Sequence, residues 1–518
     1  MYLFRKLTAG LVAAGLLLSG SSLFASAEES RRLYRGDVNL DGQIDLLDVI
    51  ALQKYVLGFG SFTSEAAALC ADTNGDGAID IYDVSLLKQY VLKEQRYEAL
   101  GGNFITAPLT DYYGTMPSQG NGRLLVFYVD FPDCPYNYAP TAAELRDICF
   151  GTEDDPTDPN YPFESMRTFY RRSSKGAFDL TGTVCRYTTK YNAAYYEVGD
   201  DDKPDAEKTR LLTELFQYFN RMLDFNDFDG NKDGYIDSIL VSVPETASED
   251  AWWPCSGFNY SKLEADGVKI GNVTTGFDQV ASPEDHKKFV STYLHETGHS
   301  MGLPDYYLYH SSDIEGFHGP AGTSLMDDDN YSDFNCFSKL MLGWYRQRQV
   351  QVYDQEQGGT QTFLLNDAQS EEGNCLILPC GDVSEKYDSE YIILEYSTES
   401  GNNIGINRDK SYGYSFAEGV RAFHVYAETG DEGYGTRFLY RSGGSKTNDD
   451  DDGIRLLRLV NDAEGGSPFV TGDVLDGRLS GFHWYAWDET ESVETGYTVT
   501  IGELENGSYT VTVDYTSA

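Results

Sequence analysis

Basic residues are scarce in this 518-residue chain: Lys and Arg number 39 against 83 Asp and Glu, a formal net charge of −44. A surface with that balance repels polyphosphate backbones and anionic membranes, so nucleic acid is excluded as a partner. Long apolar runs are also missing. One stretch, Leu7–Leu18, is apolar, but about 20 such residues are needed to cross a bilayer, and no membrane span is expected. Cysteine is thinly spread: Cys70, Cys134, Cys149, Cys185, Cys255, Cys336, Cys375 and Cys380 include no CxxC pair with metal spacing. Sequence cannot choose among the pairings these allow. Nor can a pair of carboxylates suited to glycoside hydrolysis be placed.

What is present starts with Arg5 and Lys6, the apolar run, and the small residues Ala25, Ser26 and Ala27. A basic start, an apolar stretch and a small-residue cleavage site read as a secretory signal peptide over 1–27. The mature chain is therefore expected to be secreted and extracellular. Its remaining length exceeds one hydrophobic core, and the composition divides it into 28–97, 98–350 and 351–518.

The first of these segments is built on a repeat. "DVNLDGQIDLLDVIALQKYVL" from Asp37 returns as "DTNGDGAIDIYDVSLLKQYVL" from Asp72. In each copy acidic or amide side chains fall at loop positions 1, 3, 5, 9 and 12, with glycine at position 6 for the sharp turn. These are Asp37, Asn39, Asp41, Asp45 and Asp48, then Asp72, Asn74, Asp76, Asp80 and Asp83; the carbonyls of Gln43 and Ala78 stand at position 7. Hard oxygen donors at this spacing wrap one Ca²⁺ per loop. A short amphipathic helix follows each loop, and a unit this small has a thin core, so its folding should depend on the metal. The pair resembles a dockerin, in which Asp takes the place of the usual Glu at position 12. That resemblance implies a cohesin domain on a scaffold or cell-surface protein as partner, in a cellulosome-type assembly serving polysaccharide catabolism. It also implies that positions 10 and 11, here Leu46-Leu47 and Ile81-Tyr82, contribute to partner choice.

The middle segment holds a buried strand, "GRLLVFYVDFPD", and a helix, "AEKTRLLTELFQYFNRML". In "DFNDFDGNKDGYIDSILVSV", Asp229, Asn231, Asp233 and Asp237 again take positions 1, 3, 5 and 9, but position 12 is Leu240. Either this is a third calcium loop with a missing ligand, or it is an acidic turn.

Downstream, "SPEDHKKFVSTYLHETGHSMGLPD" opens on helix-start residues, Ser282 as cap, Pro283 and Asp285. A helix through His295 and His299 sets both imidazoles on one side, one turn apart, within reach of a single Zn²⁺. Gly302 can turn left-handed and Pro304 stops the helix, so that Asp305 can fold back as a third ligand. Three protein ligands leave the fourth position open for water, as catalytic zinc sites do. Glu296, beside the histidines, is placed to act as general base. Met326 follows on a turn-prone stretch, "GTSLMDDDN", where metzincin peptidases put a methionine beneath the metal.

The segment as a whole resembles the immune inhibitor A family of secreted zinc metallopeptidases, through "LLVFYVDFPD", "FYRRSSKGAFDLTGTV", "DGNKDGYIDSILV", "HETGHSMGLPD" and "SKLMLGW". The resemblance implies that His295, His299 and Asp305 bind one catalytic zinc and that Glu296 is the base. Glu395 in "EYIILEY" is an alternative third ligand, though a cross-strand role suits it better. His424 in "VRAFHVY" sits on a strand pattern and reads as structural. Members of that family can carry a sizeable pro-segment ahead of the catalytic domain. Here only about 25 residues separate the calcium unit from the first strand. Either no such inhibitor is needed, or a short segment near Asp111 serves.

Beyond Trp344 short alternating runs separated by Gly, Asn and Asp read as antiparallel β-structure. Trp252-Trp253 and Trp484-Tyr485 fit a core better than a substrate platform, and Asp449–Asp452 reads as a solvated loop. The expected fold class is α+β: a small all-α calcium-loop dockerin, a zincin-type α/β catalytic domain with an active-site helix, and a β-rich C-terminal region. Two functions compete, a secreted zinc endopeptidase acting on protein or peptide substrates and a non-catalytic protein-binding component of the same assembly.

Overall fold

The computed structural model describes residues 36–41, 44–73, 78–98, 104–111, 116–136, 140–197, 206–244, 252–258, 263–278, 286–307, 322–327, 331–404, 406, 416–431, 436–440, 454–485 and 492–516. The signal sequence 1–27, Gln43, Asn74, Asp76, the helix-start residues Ser282, Pro283 and Asp285, and Asp449–Asp452 lie outside them. Two compact units are formed, Met1–Arg96 and Tyr97–Ala518, and the described parts of each close a core of their own.

In the first unit both acidic loops lead into helices whose starts the loop itself caps. Asp45 accepts from Leu47 N–H and Asp48 accepts from Asp45 N–H at the head of α1 (Leu46–Val56). Asp80 and Asp83 repeat this at α3 (Ile81–Glu98), accepting from Tyr82 N–H and Asp80 N–H. Acidic side chains at a helix N-terminus satisfy its open amides and suit its dipole. A further helix, α2 (Glu65–Ala71), capped by Ser64, precedes the second loop. Its alanine-rich sequence has helix propensity without the amphipathic spacing that marks the other two. Val38, Val49, Leu52, Ala71, Val84, Leu87 and Val91 make the small core.

The second unit is organised by a mostly parallel sheet. Its strands are β1 (Gly120–Asp130), β2 (Phe178–Thr188), β3 (Tyr235–Pro244), β4 (Cys255–Phe258), β5 (Glu264–Ala265) and β6 (Val268–Asp278), in the order β2-β1-β3-β6-β4 with β5 also on β6. β1, β2, β3 and β6 run parallel, whereas β4 is an antiparallel edge. The run Leu124–Val129 is buried without a break because the sheet is covered on both faces. Leu124, Val126 and Tyr128 face one hydrophobic cluster, while Leu125, Phe127 and Val129 face another. The first cluster takes in the helix His286–Ser300, which carries HETGH and buries Phe289, Val290, Tyr293 and Leu294.

The C-terminal strands form a five-stranded sheet with 375–379, 390–397 and 419–426 at its centre, and a four-stranded sheet holding 359–366, 497–505 and 508–515. Side-chain alternation splits the first of these between two cores. Cys375, Ile377, Ile393 and Phe423 join the cluster of the helix His286–Ser300, and Leu376, Leu378, Ile392 and Leu394 pack toward the four-stranded sheet. The segments 98–350 and 351–518, distinct in composition, thus share one core.

Trp252 is buried beside Phe131, and Trp484 is in the C-terminal core, but Trp253 is exposed. Glu395 lies opposite Arg421 across the strands and accepts from Cys336 N–H, at the head of the helix Cys336–Met341. His424 is buried against Glu390 at 2.8 Å and stacks on Tyr485. Both residues have structural partners. No helix among the described residues is long and apolar enough to cross a membrane.

Candidate metal centre

The helix His286–Ser300 ends in two hydrogen bonds that turn the chain back on itself. Gly302 takes φ +99°, its N–H donates to His299 O, and Leu303 N–H donates to Gly298 O. This closure requires a left-handed residue directly after the helix, a conformation open to glycine at little cost. Pro304 follows, and Asp305 arrives under the histidines: its Oδ1 lies 3.0 Å from His295 Nε2 and 3.4 Å from His299 Nε2. Among the described residues, His295, His299 and Asp305 are the group whose potential ligand atoms all lie within 4.8 Å of one another.

Each imidazole is fixed from behind. His295 Nδ1 is 2.7 Å from Leu325 O, and His299 Nδ1 is 2.7 Å from Leu303 O. A carbonyl only accepts, so Nδ1 carries a proton in both rings, and Nε2 is the nitrogen left free to ligate a metal in place of its contact with Asp305. The rings stand nearly perpendicular, 4.8 Å between centroids. Two outward-facing Nε2 lone pairs and one carboxylate fit a zinc ion with one position left open. His295, Glu296 and Asp305 are buried, whereas His299 retains partial exposure, so the site opens toward solvent on the His299 side. Burial works to raise the Asp305 carboxyl, but the facing His299 and His295 rings hold it far below the usual carboxylate range. Burial lowers His299, and the Asp305 charge overcomes that and raises it.

Met326 sits on the turn 325–327, under the helix. A Cβ placed on Gly298 would lie 2.7 Å from Met326 Sδ, so glycine at that position lets the turn approach the helix. Met326 O accepts from Tyr306 N–H at 2.9 Å, tying the turn to the residue after Asp305. The turn therefore braces the site twice, through Leu325 O to His295 and through Met326 O to Tyr306, the residue after Asp305.

The calcium-loop residues that fall within the described chain are arranged around buried acids. Asp37, Asp48 and Asp83 are buried. Asp48 accepts from Asn39 N–H and Asp45 N–H, and Asp83 from Thr73 N–H and Asp80 N–H. Asn39 and Asp41 bond each other, and Asp72 and Ala78 flank the second loop. Leu46, Leu47, Ile81 and Tyr82, at positions 10 and 11, are exposed, Tyr82 to 71%.

The third acidic segment is a closed turn. Asp229 accepts from Asp233 N–H and Gly234 N–H, while Asp237 accepts from Gly230 N–H and from Arg123 N–H on β1. Position 12, Leu240, is buried within β3. Burial is the main cause that pushes Asp237 up to about 7; the two amides oppose it, and Asp229 and Asp233 add to it. The folded state then binds a proton that the unfolded state releases near 4, so stability from this group falls as pH rises from 4 to 7. The slope is up to about 1.4 kcal/mol per pH unit. In chelator, Asp237→Asn is expected to flatten the pH dependence of the unfolding midpoint between pH 5 and 7. An unaltered slope in the variant would assign the titration elsewhere.

Sequence reasoning missed the buried pair behind the site, Asp333 and Lys339, because Asp333 draws its other partners, Ser173, Asn402 and Asn403, from far along the chain. The only signal was the "SKLMLGW" stretch, read as likeness and not as chemistry.

Comparison with known proteins agrees with both halves. Residues 35–92 match the family described as Dockerin type I domain, and residues 119–317 match Immune inhibitor A peptidase M6, catalytic domain. The chain is similar to Immune inhibitor A of Bacillus thuringiensis subsp. alesti, 26% identical over 251 residues, covering 40% of this chain and 36% of that protein. It is also similar to Pre-pro-metalloprotease PrtV from two strains of Vibrio cholerae, 28% identical over 233 residues, covering 36% of this chain and 25% of theirs. The matched stretches thus span well under half the length of these relatives.

Proposed function

We propose that this chain is a secreted zinc-dependent endopeptidase, docked through a calcium-dependent module to a cohesin-bearing scaffold or cell-surface protein. The observation that carries the reading is the convergence of His295, His299 and Asp305 on one point, with both Nδ1 atoms tied to carbonyls. When bound, zinc lowers the pKa of a water and polarises the substrate carbonyl. The protein's own part falls to Glu296. It takes the proton of the attacking water and passes it to the departing amine. The helix fixes this carboxylate one residue from His295, and its burial keeps competing solvent away.

The dockerin match and the exposed pairs Leu46-Leu47 and Ile81-Tyr82 support the docking half of the proposal. Two calcium ions belong to it. A third, at Asp229–Asp237, lacks a position-12 ligand, because that position is Leu240, buried within β3. The names of the relatives, an immune inhibitor and a pre-pro-metalloprotease, support export and proteolysis.

The test is metal content with casein hydrolysis. Wild type is expected to hold one zinc and to cleave casein, and Asp305→Ala to lose both. An Asp305→Ala protein with full zinc occupancy would remove Asp305 from the ligand set. Inactive wild type with no zinc would instead favour the non-catalytic binding component.

A further inference from the structure

A buried ion pair stands behind the turn that carries Met326. Asp333 and Lys339 are each 4% exposed, and Lys339 Nζ lies 2.6 Å from Asp333 Oδ2. The other carboxylate oxygen accepts from Ser173 Oγ on the helix 166–173, from Phe334 N–H at 2.9 Å, and from Asn402 Nδ2 at 3.3 Å. Asn403 Oδ1 accepts Asp333 N–H at 2.8 Å. Residue 333 is therefore gripped by the helix 166–173, by Lys339 on the helix Cys336–Met341, and by a turn of the β-rich region.

From this anchor two hydrogen bonds lead to the metal centre. Asp333 O accepts Leu325 N–H at 3.0 Å, and Leu325 O accepts the Nδ1–H of His295 at 2.7 Å. We propose that Asp333 is a positioning residue for His295: its carboxylate, held by Lys339 and the Asn402-Asn403 turn, fixes Leu325 and so the ring plane and tautomer of the ligand. The inference rests on the metallopeptidase reading above. It also gives the C-terminal region a task at the site, through two asparagines that never touch a ligand.

The physical basis is that a ligating imidazole is oriented by the acceptor of its other N–H, and loss of such partners weakens metal binding about 10- to 100-fold. Here the acceptor is a backbone carbonyl, which no side-chain substitution deletes, so its position is the quantity that can vary. The Asp333 carboxylate accepts from four donors, three at one oxygen and Lys339 at the other. Asparagine in its place turns part of that acceptor set into donors and leaves the Lys339 ammonium buried without its counter-charge.

The experiment uses the full chain and reads zinc affinity by competition with a chromophoric chelator, together with the visible absorption of the cobalt-substituted protein. Asp333→Asn is expected to weaken zinc by about 10-fold or more, to shift the cobalt bands, and to lower kcat with KM nearly unchanged. In Asp333→Asn/Lys339→Met, which has no unpaired charge, the melting temperature is expected to recover while zinc affinity stays low. If Asp333→Asn does not fold, Asn403→Ala, which removes only the acceptor for Asp333 N–H, is expected to weaken zinc several-fold in the same assay. Variants with wild-type zinc affinity and cobalt spectrum, whatever their melting temperature, overturn the positioning role and leave the metal centre intact. A wild-type chain that takes up neither zinc nor cobalt overturns the metal centre and this inference together.

Discussion

Glu296→Gln is expected to lower kcat/KM on casein-derived peptides by about 10³-fold while zinc content stays at the wild-type level. That factor corresponds to about 4 kcal/mol of transition-state stabilisation. The glutamine amide matches the carboxylate in size but cannot take up a proton from water. Glu296 is not among the three converging ligands, so its replacement leaves the donor set of His295, His299 and Asp305 in place. Loss of activity with metal retained separates a base from a ligand. A variant within tenfold of wild type would assign proton transfer to another group, and one that lost its zinc would make Glu296 part of the metal's support.

Calcium removal has an equally large expected effect at the other end of the chain. In excess chelator, cohesin affinity is expected to fall on the order of 10³-fold, as does any equilibrium that loses a ligand held at that multiple of its dissociation constant. The cause lies in the buried carboxylates. Asp48 and Asp83 have no exposed surface, and Asp37 is nearly as deep. Burial, the largest influence, raises the Asp48 carboxyl, and the nearby Asp37 charge raises it further against three backbone amides. Without a cation Asp37 and Asp48 repel each other within one loop, and a core of a few valines and leucines is too little to offset that. Asp48→Ala and Asp83→Ala, measured singly for cohesin binding by titration calorimetry, are each expected to reproduce much of the loss. Undiminished binding in chelator would detach the module from calcium and from the dockerin reading.

Much of this was legible in the sequence, and the boundary of legibility is physical. The repeat at Asp37 and Asp72 was legible as two acidic loops because its acidic and amide positions keep a fixed local spacing. The HETGH helix and the Gly302–Asp305 turn were legible for the same reason, since helix periodicity and a glycine stop act within one turn of the chain. The strands at 120–130 and 235–244 announced themselves as apolar runs. What stayed hidden depends on distance along the chain. Ser173 meets Asp333 across 160 residues, and Asp333 meets Asn403 across 70; no periodicity encodes either meeting. The short helix Glu65–Ala71 was hidden for a different reason, since alanine carries propensity without a face.

The five-stranded C-terminal sheet has a consequence for how such a protein can be recombined. Because its strands lend alternate side chains to two cores, a cut near residue 350 would divide a hydrophobic interior and leave Cys375, Ile377, Ile393 and Phe423 bare. A cut just past Glu98, at the end of α3, falls near the boundary of the two compact units and leaves both hydrophobic cores whole. The piece that can be moved or expressed as one block is thus the chain from residue 99 to 518, with the HETGH helix and the β-sheets travelling together.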